Sequence, residues 1–141
     1  MLEHVLSEDW ENGGFGLYIH WPFCAAKCPY CDFNSHVRNN IDQKQWLRSY
    51  LSEINRVSKN TSNRSLNSVF FGGGTPSLIE PWVINDILNE IQKYWKTKDI
   101  FEITLEANPG SVDAKNFKAY RSAGVNRVSM GIQSLNEKDL K

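Results

Sequence analysis

The stretch that decides the fold is GLYIHWPFCAAKCPYCDF, which runs from Gly16 to Phe33. It begins as a short apolar strand and continues into a turn-rich cysteine loop, residues 22–33, that holds all three cysteines of the chain. Cys24, Cys28 and Cys31 are spaced C-x3-C-x2-C, so their thiols can converge on one object. Because their number is odd, a framework made only of disulfides is disfavoured. The spacing therefore indicates a metal centre.

The number of available ligands separates two kinds of centre. A structural zinc site is closed by four protein ligands, which would here require His20 or His36 beside the three cysteines. Iron–sulfur clusters are held by cysteine thiolates, and three thiolates on a four-iron cluster leave one iron open to a cofactor or substrate. The spacing favours the cluster and leaves a non-enzymatic, zinc-stapled binding module as the alternative.

The rest of the chain alternates strand patterns with helix patterns. Apolar residues recur with the period of a strand or of a helix, and Asp42 with Gln45 resembles a capping box at a helix start. Strands are predicted at 17–21, 68–71, 101–107 and 127–132, and helices from 42, 81, 112 and 136.

This alternation predicts an α/β protein built from parallel βα units with right-handed crossovers. Four units are visible, as an incomplete (β/α) partial barrel. Ligands of such folds bind beyond the carboxyl ends of the strands. The candidate residues all lie at that edge: the cysteine loop, the run Gly72 to Pro76, Glu106 and Gln133.

Composition limits the class of protein. The 141 residues suit one ordinary domain, and Lys plus Arg equals Asp plus Glu at 16 each. A balanced charge gives no support for binding to nucleic acid or to an anionic membrane. We expect no transmembrane segment and no secretory signal, and free thiols suit a reducing cytoplasm. Residues 1–15 are predicted to form a flexible N-terminal arm.

At YIHWPFCAAKCPYC the sequence resembles the signature of the radical S-adenosylmethionine (SAM) superfamily. The surrounding residues resemble its oxygen-independent coproporphyrinogen III oxidase-like branch, from about Gly16 to the end of the chain. The resemblance implies that Cys24, Cys28 and Cys31 hold a 4Fe-4S cluster whose open iron chelates SAM. It also implies that residues 16–141 are the N-terminal portion of a radical SAM core, ending before the remaining strands and a C-terminal domain. Such a chain is expected to be weakly stable and inactive alone.

The resemblance further implies a SAM site. The residues it assigns to SAM are Tyr18, Tyr30, Gly73, Gly74, Thr75, Glu106 and Gln133. The three residues 73–75, the Gly-Gly-Thr segment, would hold the methionine end of SAM through backbone groups, whereas the side chains of residues 106 and 133 would contact its polar groups.

Simpler interpretations stay open for some of these residues. The glycine run is neither G-x-G-x-x-G nor a P-loop, but it could be a plain turn. Glu106 could form an ion pair with Arg127. His20 could equally be a hydrogen-bonded core histidine, and His36 is expected at the surface.

In this superfamily a reduced cluster gives one electron to SAM, which splits into methionine and a 5′-deoxyadenosyl radical. The resemblance implies an electron donor such as a flavodoxin or ferredoxin. The oxidases of the branch carry a further cysteine two residues past the third ligand, where this chain has Asp32-Phe33. The segment CDFNSH is instead similar to the heme chaperones of the branch. The first functional prediction is therefore a chaperone that binds heme and delivers it to hemoproteins. The second is a porphyrinogen oxidase, so whether the protein is an enzyme is left open.

Overall fold

The computed structural model describes residues 9–109 and 114–140. In chain order the elements are α1 (Trp10–Gly13), β1 (Gly16–Trp21), β2 (Phe23–Cys24), β3 (His36–Val37), α2 (Gln43–Ser58), β4 (Ser65–Gly73), α3 (Pro81–Tyr94), β5 (Lys96–Ala107), α4 (Ala114–Ala123) and β6 (Arg127–Met130). Short 3-10 turns at Pro76–Leu78 and Glu137–Leu140 complete the list.

The main sheet has four strands in the order β1-β4-β5-β6, and every neighbouring pair is parallel. Helices α2, α3 and α4 connect successive strands, so the predicted α/β architecture of parallel βα units is confirmed. After β6, the 3-10 turn Glu137–Leu140 takes the place of the helix predicted from residue 136. The register aligns side chains across the sheet: Tyr18 pairs with Phe70, Phe70 with Thr104 and Thr104 with Arg127. Because side chains alternate along each strand, this row lies on one face of the sheet.

The other face of the sheet packs against the helices. Its strand residues are buried beneath apolar side chains of α2, α3 and α4, and the core includes Ile19, Trp21, Val69, Phe71, Leu105, Leu47, Ile84, Ile87, Ile91 and Tyr120. Full burial of one aliphatic side chain contributes about 1.5–3 kcal/mol. The helix-covered face therefore supplies most of the apolar stabilisation, and the opposite face is left for the candidate site.

Several element boundaries differ from the predictions. Strand β4 begins at Ser65 and β5 at Lys96, each several residues before its predicted start. These extensions are mostly polar and pair with each other through a register shift, so backbone hydrogen bonding rather than apolar alternation builds them. Strand β6 ends at Met130, two residues earlier than predicted.

The predicted helix ends are largely confirmed. The Asp42 side chain accepts a 2.9 Å hydrogen bond from the backbone N–H of Gln45, and Pro81 occupies the first turn of α3. Gly124, with φ of +116°, follows the last residue of α4, a backbone conformation that favours glycine. The predicted start of this helix at residue 112 lies outside the described residues.

The aromatic residues outside the strands differ in how far they are packed against the core. Trp46 and Trp95 pack on the core as predicted, but Trp82 is 42% exposed, so the prediction that it packs was wrong. In the predicted arm, residues 10–13 form a short helix, and Phe15 packs 6.2 Å from Trp95 between ring centroids. The arm is thus anchored at its C-terminal end, while residues 1–8 lie outside the described part. None of the described helices is long and apolar enough to cross a bilayer.

Candidate functional site

The cysteine loop is closed by a small sheet that the sequence analysis did not predict. Strands β2 and β3 are parallel, and Cys24 is paired with Val37. The backbone N–H of His36 donates to the Pro22 carbonyl at 2.7 Å, and that of Arg38 donates to the Cys24 carbonyl at 3.2 Å. Two short strands thus bring the two ends of the loop together.

All three cysteines are free thiols in different environments. Cys24 is buried at the end of β2, Cys31 is half-buried and Cys28 is exposed. The Lys27 ammonium lies 3.5 Å from Ser35 Oγ, which lies 3.9 Å from Cys31 Sγ. Through these contacts Lys27 and Ser35 connect Cys31 to the residues that follow the cysteine loop.

Tyr30 lies beside the same thiols. Its side-chain hydrogen bond with Cys28, followed by burial and by the negative charge of the Cys28 and Cys31 thiolates, raises the pKa of the Tyr30 phenol. Its side chain is nevertheless 69% exposed. Tyr30 therefore forms part of the rim of the cysteine loop.

The Gly-Gly-Thr segment packs directly against the cysteine loop, at a distance that only glycine allows. A Cβ on Gly74 would lie 2.6 Å from the Phe23 carbonyl oxygen and 3.0 Å from Cys24 Sγ. A Cβ on Gly73, whose φ is +118°, would lie 2.7 Å from the His20 ring. Because the two segments lie so close together, and because the three thiols are free, the residues fit a cluster on the cysteine loop with a small molecule bound beside it on the Gly-Gly-Thr segment.

The alternative zinc ligands are placed differently. His20 Nε2 lies 3.0 Å from the Asn34 carbonyl oxygen and Nδ1 lies 3.5 Å from the Tyr18 hydroxyl, so His20 bridges β1 to the residues after the cysteine loop. His36 is exposed on β3, as predicted. Within residues 9–109 and 114–140 no three His, Cys, Asp or Glu side chains are arranged to hold a single metal ion.

A cavity of about 190 Å³ lies where the carboxyl ends of β4, β5 and β6 meet. It brings together five of the predicted SAM-site residues, namely Gly73, Gly74, Thr75, Glu106 and Gln133. Phe33, at the end of the cysteine loop, lines it as well. The cavity is therefore continuous with the loop that carries the thiols.

Hydrogen bonds define the chemistry of this cavity. The backbone N–H of Gly73 donates to Glu106 Oε2 at 3.1 Å, and those of Gly74 and Thr75 donate to the carbonyls of Trp21 and Phe23 at 2.7 and 2.8 Å. The N–H groups of the Gly-Gly-Thr segment are thus engaged within the protein. Glu106 is the one charged residue among the described residues that line the cavity.

The alternative ion pair between Glu106 and Arg127 does not form in the structure. Arg127 instead donates to Glu102 at 3.2 Å and to the Thr104 hydroxyl at 3.1 Å. Gln133, at the far side of the cavity, has a φ of +65°. A non-glycine residue in the left-handed region carries backbone strain that is frequent at functional sites.

Tyr18 and Tyr30 are not among the described residues that line the cavity. Tyr18 lies next to Gly72, is 59% exposed and stacks on Phe70 with 5.9 Å between ring centroids. Burial and then the negative charge of Glu106 raise the pKa of the Tyr18 phenol. Tyr18 is therefore adjacent to the cavity rather than in its wall.

Sequence reasoning missed Phe33 and Ser129 as lining residues. Ser129 is paired with Glu106 across β5 and β6, so the rule that ligands bind at carboxyl strand ends could have found it. No comparable signal marks Phe33. A larger cavity of about 940 Å³ lies at the opposite edge of the sheet, between residues 62–65 and 92–97, and none of the predicted site residues lines it.

The fold and this edge define a class of protein. Four parallel βα units place a loop of free thiols and a glycine-containing segment together at the carboxyl edge of the sheet, as expected for a radical SAM core. The family model of the Radical SAM superfamily matches residues 18–141, and the chain therefore belongs to this superfamily.

Three curated relatives show which members of the superfamily the chain is similar to. The chain is 48% identical over 130 residues to the heme chaperone HemW of Haemophilus influenzae, covering 89% of this chain and 34% of that protein. It is 40% identical over 126 residues to HemW of Escherichia coli, covering 89% and 33%. To the mitochondrial radical S-adenosyl methionine domain-containing protein 1 of Bos taurus it is 38% identical over 125 residues, covering 89% and 28%.

Among solved structures, the coproporphyrinogen III oxidase HemN of Escherichia coli, titled a radical SAM enzyme, matches with a TM-score of 0.78 and 27% identity. The match covers 87% of this chain and 29% of HemN. The α/β fold of the radical SAM type is thereby confirmed. The chain spans about a third of the length of the curated relatives it matches.

Proposed function

We propose that Cys24, Cys28 and Cys31 hold a 4Fe-4S cluster and that SAM binds its open iron across the Gly-Gly-Thr segment. The observation that carries the proposal is the packing of this segment on the cysteine loop, where Gly74 leaves no room for a Cβ beside Cys24 Sγ. A ligand on that segment would be within reach of a cluster on the loop. When bound, the cluster and SAM supply one-electron radical chemistry.

The residues around the cavity suit the methionine end of SAM. That end carries an ammonium group, which needs hydrogen-bond acceptors and a negative charge. Glu106 supplies the charge, and the carbonyl oxygens of Gly73 and Gly74 are the acceptors proposed for the ammonium group, since the Thr75 carbonyl already accepts from the Leu78 N–H at 3.0 Å. The cavity, about 190 Å³, is smaller than the roughly 300–1,000 Å³ of pockets that enclose a whole ligand. It would therefore take one end of SAM and leave the adenosyl part to be bound elsewhere.

For the whole protein we infer the function of a heme chaperone that delivers heme to recipient hemoproteins in the cytoplasm. Identities of 40–48% to proteins named heme chaperone HemW support this, as does Asp32-Phe33 in place of a further cysteine. A flavodoxin or ferredoxin would reduce the cluster. The second candidate is a coproporphyrinogen III oxidase, supported by the likeness to HemN at 27% identity.

Anaerobic reconstitution with iron and sulfide tests the cluster. We expect about four irons and four sulfides per chain, the content of a 4Fe-4S cluster, with broad visible absorption. Cys28→Ala should lose this cluster, whereas His36→Ala, in the same region, should keep it. A colourless protein with stoichiometric zinc would contradict the proposed cluster. Loss of that zinc in His36→Ala or His20→Ala would support the zinc-stapled module instead.

A chimera tests the function of the whole protein. In it this chain replaces the matching N-terminal third of the Haemophilus influenzae relative. We expect the chimera to transfer heme to an apo-hemoprotein and to leave coproporphyrinogen III unchanged. If the chimera decarboxylates coproporphyrinogen III and Cys28→Ala abolishes this activity, the proposal of a chaperone is wrong and that of an oxidase is supported.

A further inference from the structure

The turn that follows the Gly-Gly-Thr segment is held by two side chains from different helices. The Tyr120 hydroxyl, on α4, is shared between the carbonyl oxygens of Ser77 at 2.5 Å and Ile79 at 3.0 Å. On the α2 side, Gln43 Nε2 donates to the Leu78 carbonyl at 3.0 Å, and Gln43 Oε1 accepts from the N–H of Glu80 at 2.9 Å. Four consecutive residues, 77–80, are thus fixed through their backbone groups.

These contacts matter because they hold the chain immediately after a segment that contains two glycines. Glycine has the widest choice of backbone conformations, and Gly73 adopts a φ of +118°. The backbone N–H groups of Gly74 and Thr75 anchor the segment itself to the carbonyls of Trp21 and Phe23. On its C-terminal side it leads within two residues into the turn that Tyr120 and Gln43 hold. The two anchors together define the path of the segment.

Tyr120 is suited to this task in two respects. Its side chain is buried, at 3% exposure, so water does not compete strongly for the two carbonyls. Burial, and next the negative charge of Glu80, raises the pKa of its phenol to about 12. The hydroxyl group therefore remains a donor throughout the neutral range.

We propose that Tyr120 and Gln43 are positioning residues that hold the Gly-Gly-Thr segment in the conformation that binds SAM. The inference rests on the function proposed above. A binding segment that is ordered before the ligand arrives loses less conformational entropy on binding. The two side chains thus strengthen SAM binding without contacting the ligand, and they have no part in holding the cluster.

The test compares variants of this chain within the reconstituted chimera described above, which supplies the remaining two thirds of the relative. Tyr120→Phe removes one hydroxyl, and Gln43→Met removes both amide contacts at similar volume. Tyr94→Phe is the matched control, since it removes a hydroxyl that contacts Glu90 and Asn55 at the far end of α3. We expect Tyr120→Phe and Gln43→Met to raise the Kd of SAM roughly threefold to tenfold, the effect of one or two lost hydrogen bonds. Iron content should be unchanged, and Tyr94→Phe should bind SAM as the parent does.

A second readout needs no SAM. Backbone amide hydrogen exchange of residues 73–78 should be faster in Tyr120→Phe than in Tyr94→Phe, at a temperature where circular dichroism shows both to be folded. If both variants bind SAM like the parent chain, the positioning role is wrong and the proposed function stands. If the parent chain holds its cluster but binds no SAM, the proposed SAM site and the positioning role both fail.

Discussion

The backbone N–H of Gly73 donates a 3.1 Å hydrogen bond to Glu106 Oε2. This contact ties the last residue of β4 to a carboxylate near the end of β5, at the edge where the thiol loop lies. It holds one carboxylate oxygen beside the cavity. The negative charge of Glu106 and the backbone of Gly73 therefore lie side by side at the cavity.

Replacing Glu106 tests this contact. Glu106→Gln keeps an acceptor for Gly73 but removes the charge, and Glu106→Ala removes both. Because a hydrogen bond to a charged group contributes about 1.5–3 kcal/mol, we expect Glu106→Gln to weaken SAM binding by about tenfold or more and Glu106→Ala to weaken it further. Equilibrium dialysis on the reconstituted chain measures this. Glu102→Gln, four residues earlier on the same strand, is the control. Equal SAM binding by all variants would exclude Glu106 from the proposed site.

Steric fit at Gly74 gives the second prediction. A Cβ there would lie 2.6 Å from the Phe23 carbonyl oxygen, a backbone atom that can yield only if the cysteine loop moves. Gly74→Ala should therefore lower the iron content after reconstitution. Gly13→Ala, where a Cβ meets no atom within 4 Å, should keep it. Iron and sulfide assays measure the cluster content of both variants. Full cluster content in Gly74→Ala would contradict the prediction and show that the cysteine loop tolerates displacement.

Core packing gives a prediction on stability. Leu105 is fully buried beneath the helices, whereas Ile100, on the same strand, is 90% exposed. Leu105→Ala should lower the free energy of unfolding by roughly 2–5 kcal/mol, while Ile100→Ala should change it by no more than about 0.5 kcal/mol. Urea unfolding followed by circular dichroism measures both. Similar losses in the two variants would contradict the division of the sheet into a packed and an open face.

Alkaline pH gives the fourth prediction. Burial raises the pKa of Tyr120 to about 12 and raises that of Tyr50 as well, whereas a tyrosine in the unfolded chain titrates near 10. Above pH 10 the unfolded state loses these protons first, so the stability they contribute is complete below pH 10 and falls as the pH rises towards 12.

Thermal unfolding between pH 9 and 12 measures this effect. The loss of stability with pH should be less steep in Tyr120→Phe and in Tyr50→Phe than in the parent. Tyr94→Phe, which removes a hydroxyl at the far end of α3, is the control. Unchanged steepness in both buried variants would contradict the assignment.

Much of the fold could be predicted because its signals are local. Apolar residues such as Ile84, Ile87 and Ile91 recur at helical spacing, and each is buried against the sheet. The capping contact of Asp42 also depends on neighbours only. Boundaries were less predictable where long-range pairing decides them, as in the extension of β4 to Ser65 against the polar start of β5.

The candidate site, like the fold, could be predicted only in part from the sequence. The spacing of the cysteines, the resemblance built on it and the parity of Glu106 were sufficient to nominate five of the residues that line the cavity. That Glu106 bonds to Gly73, while Arg127 turns to Glu102, could not be predicted. The members of these two pairs are 33 and 25 positions apart in the sequence. They approach each other only after the strands are aligned, and alignment depends on the whole sheet.

By itself the sequence determined the succession of parallel βα units, the thiol loop and the edge at which the candidate residues gather, because each follows from periodicity or spacing along the chain. Only the tertiary structure decided which groups meet there: Gly74 against Cys24, Glu106 against Gly73, and Tyr120 against the turn after the Gly-Gly-Thr segment. These contacts join residues distant in sequence, and their geometry is set by strand register and helix packing, which no local pattern encodes.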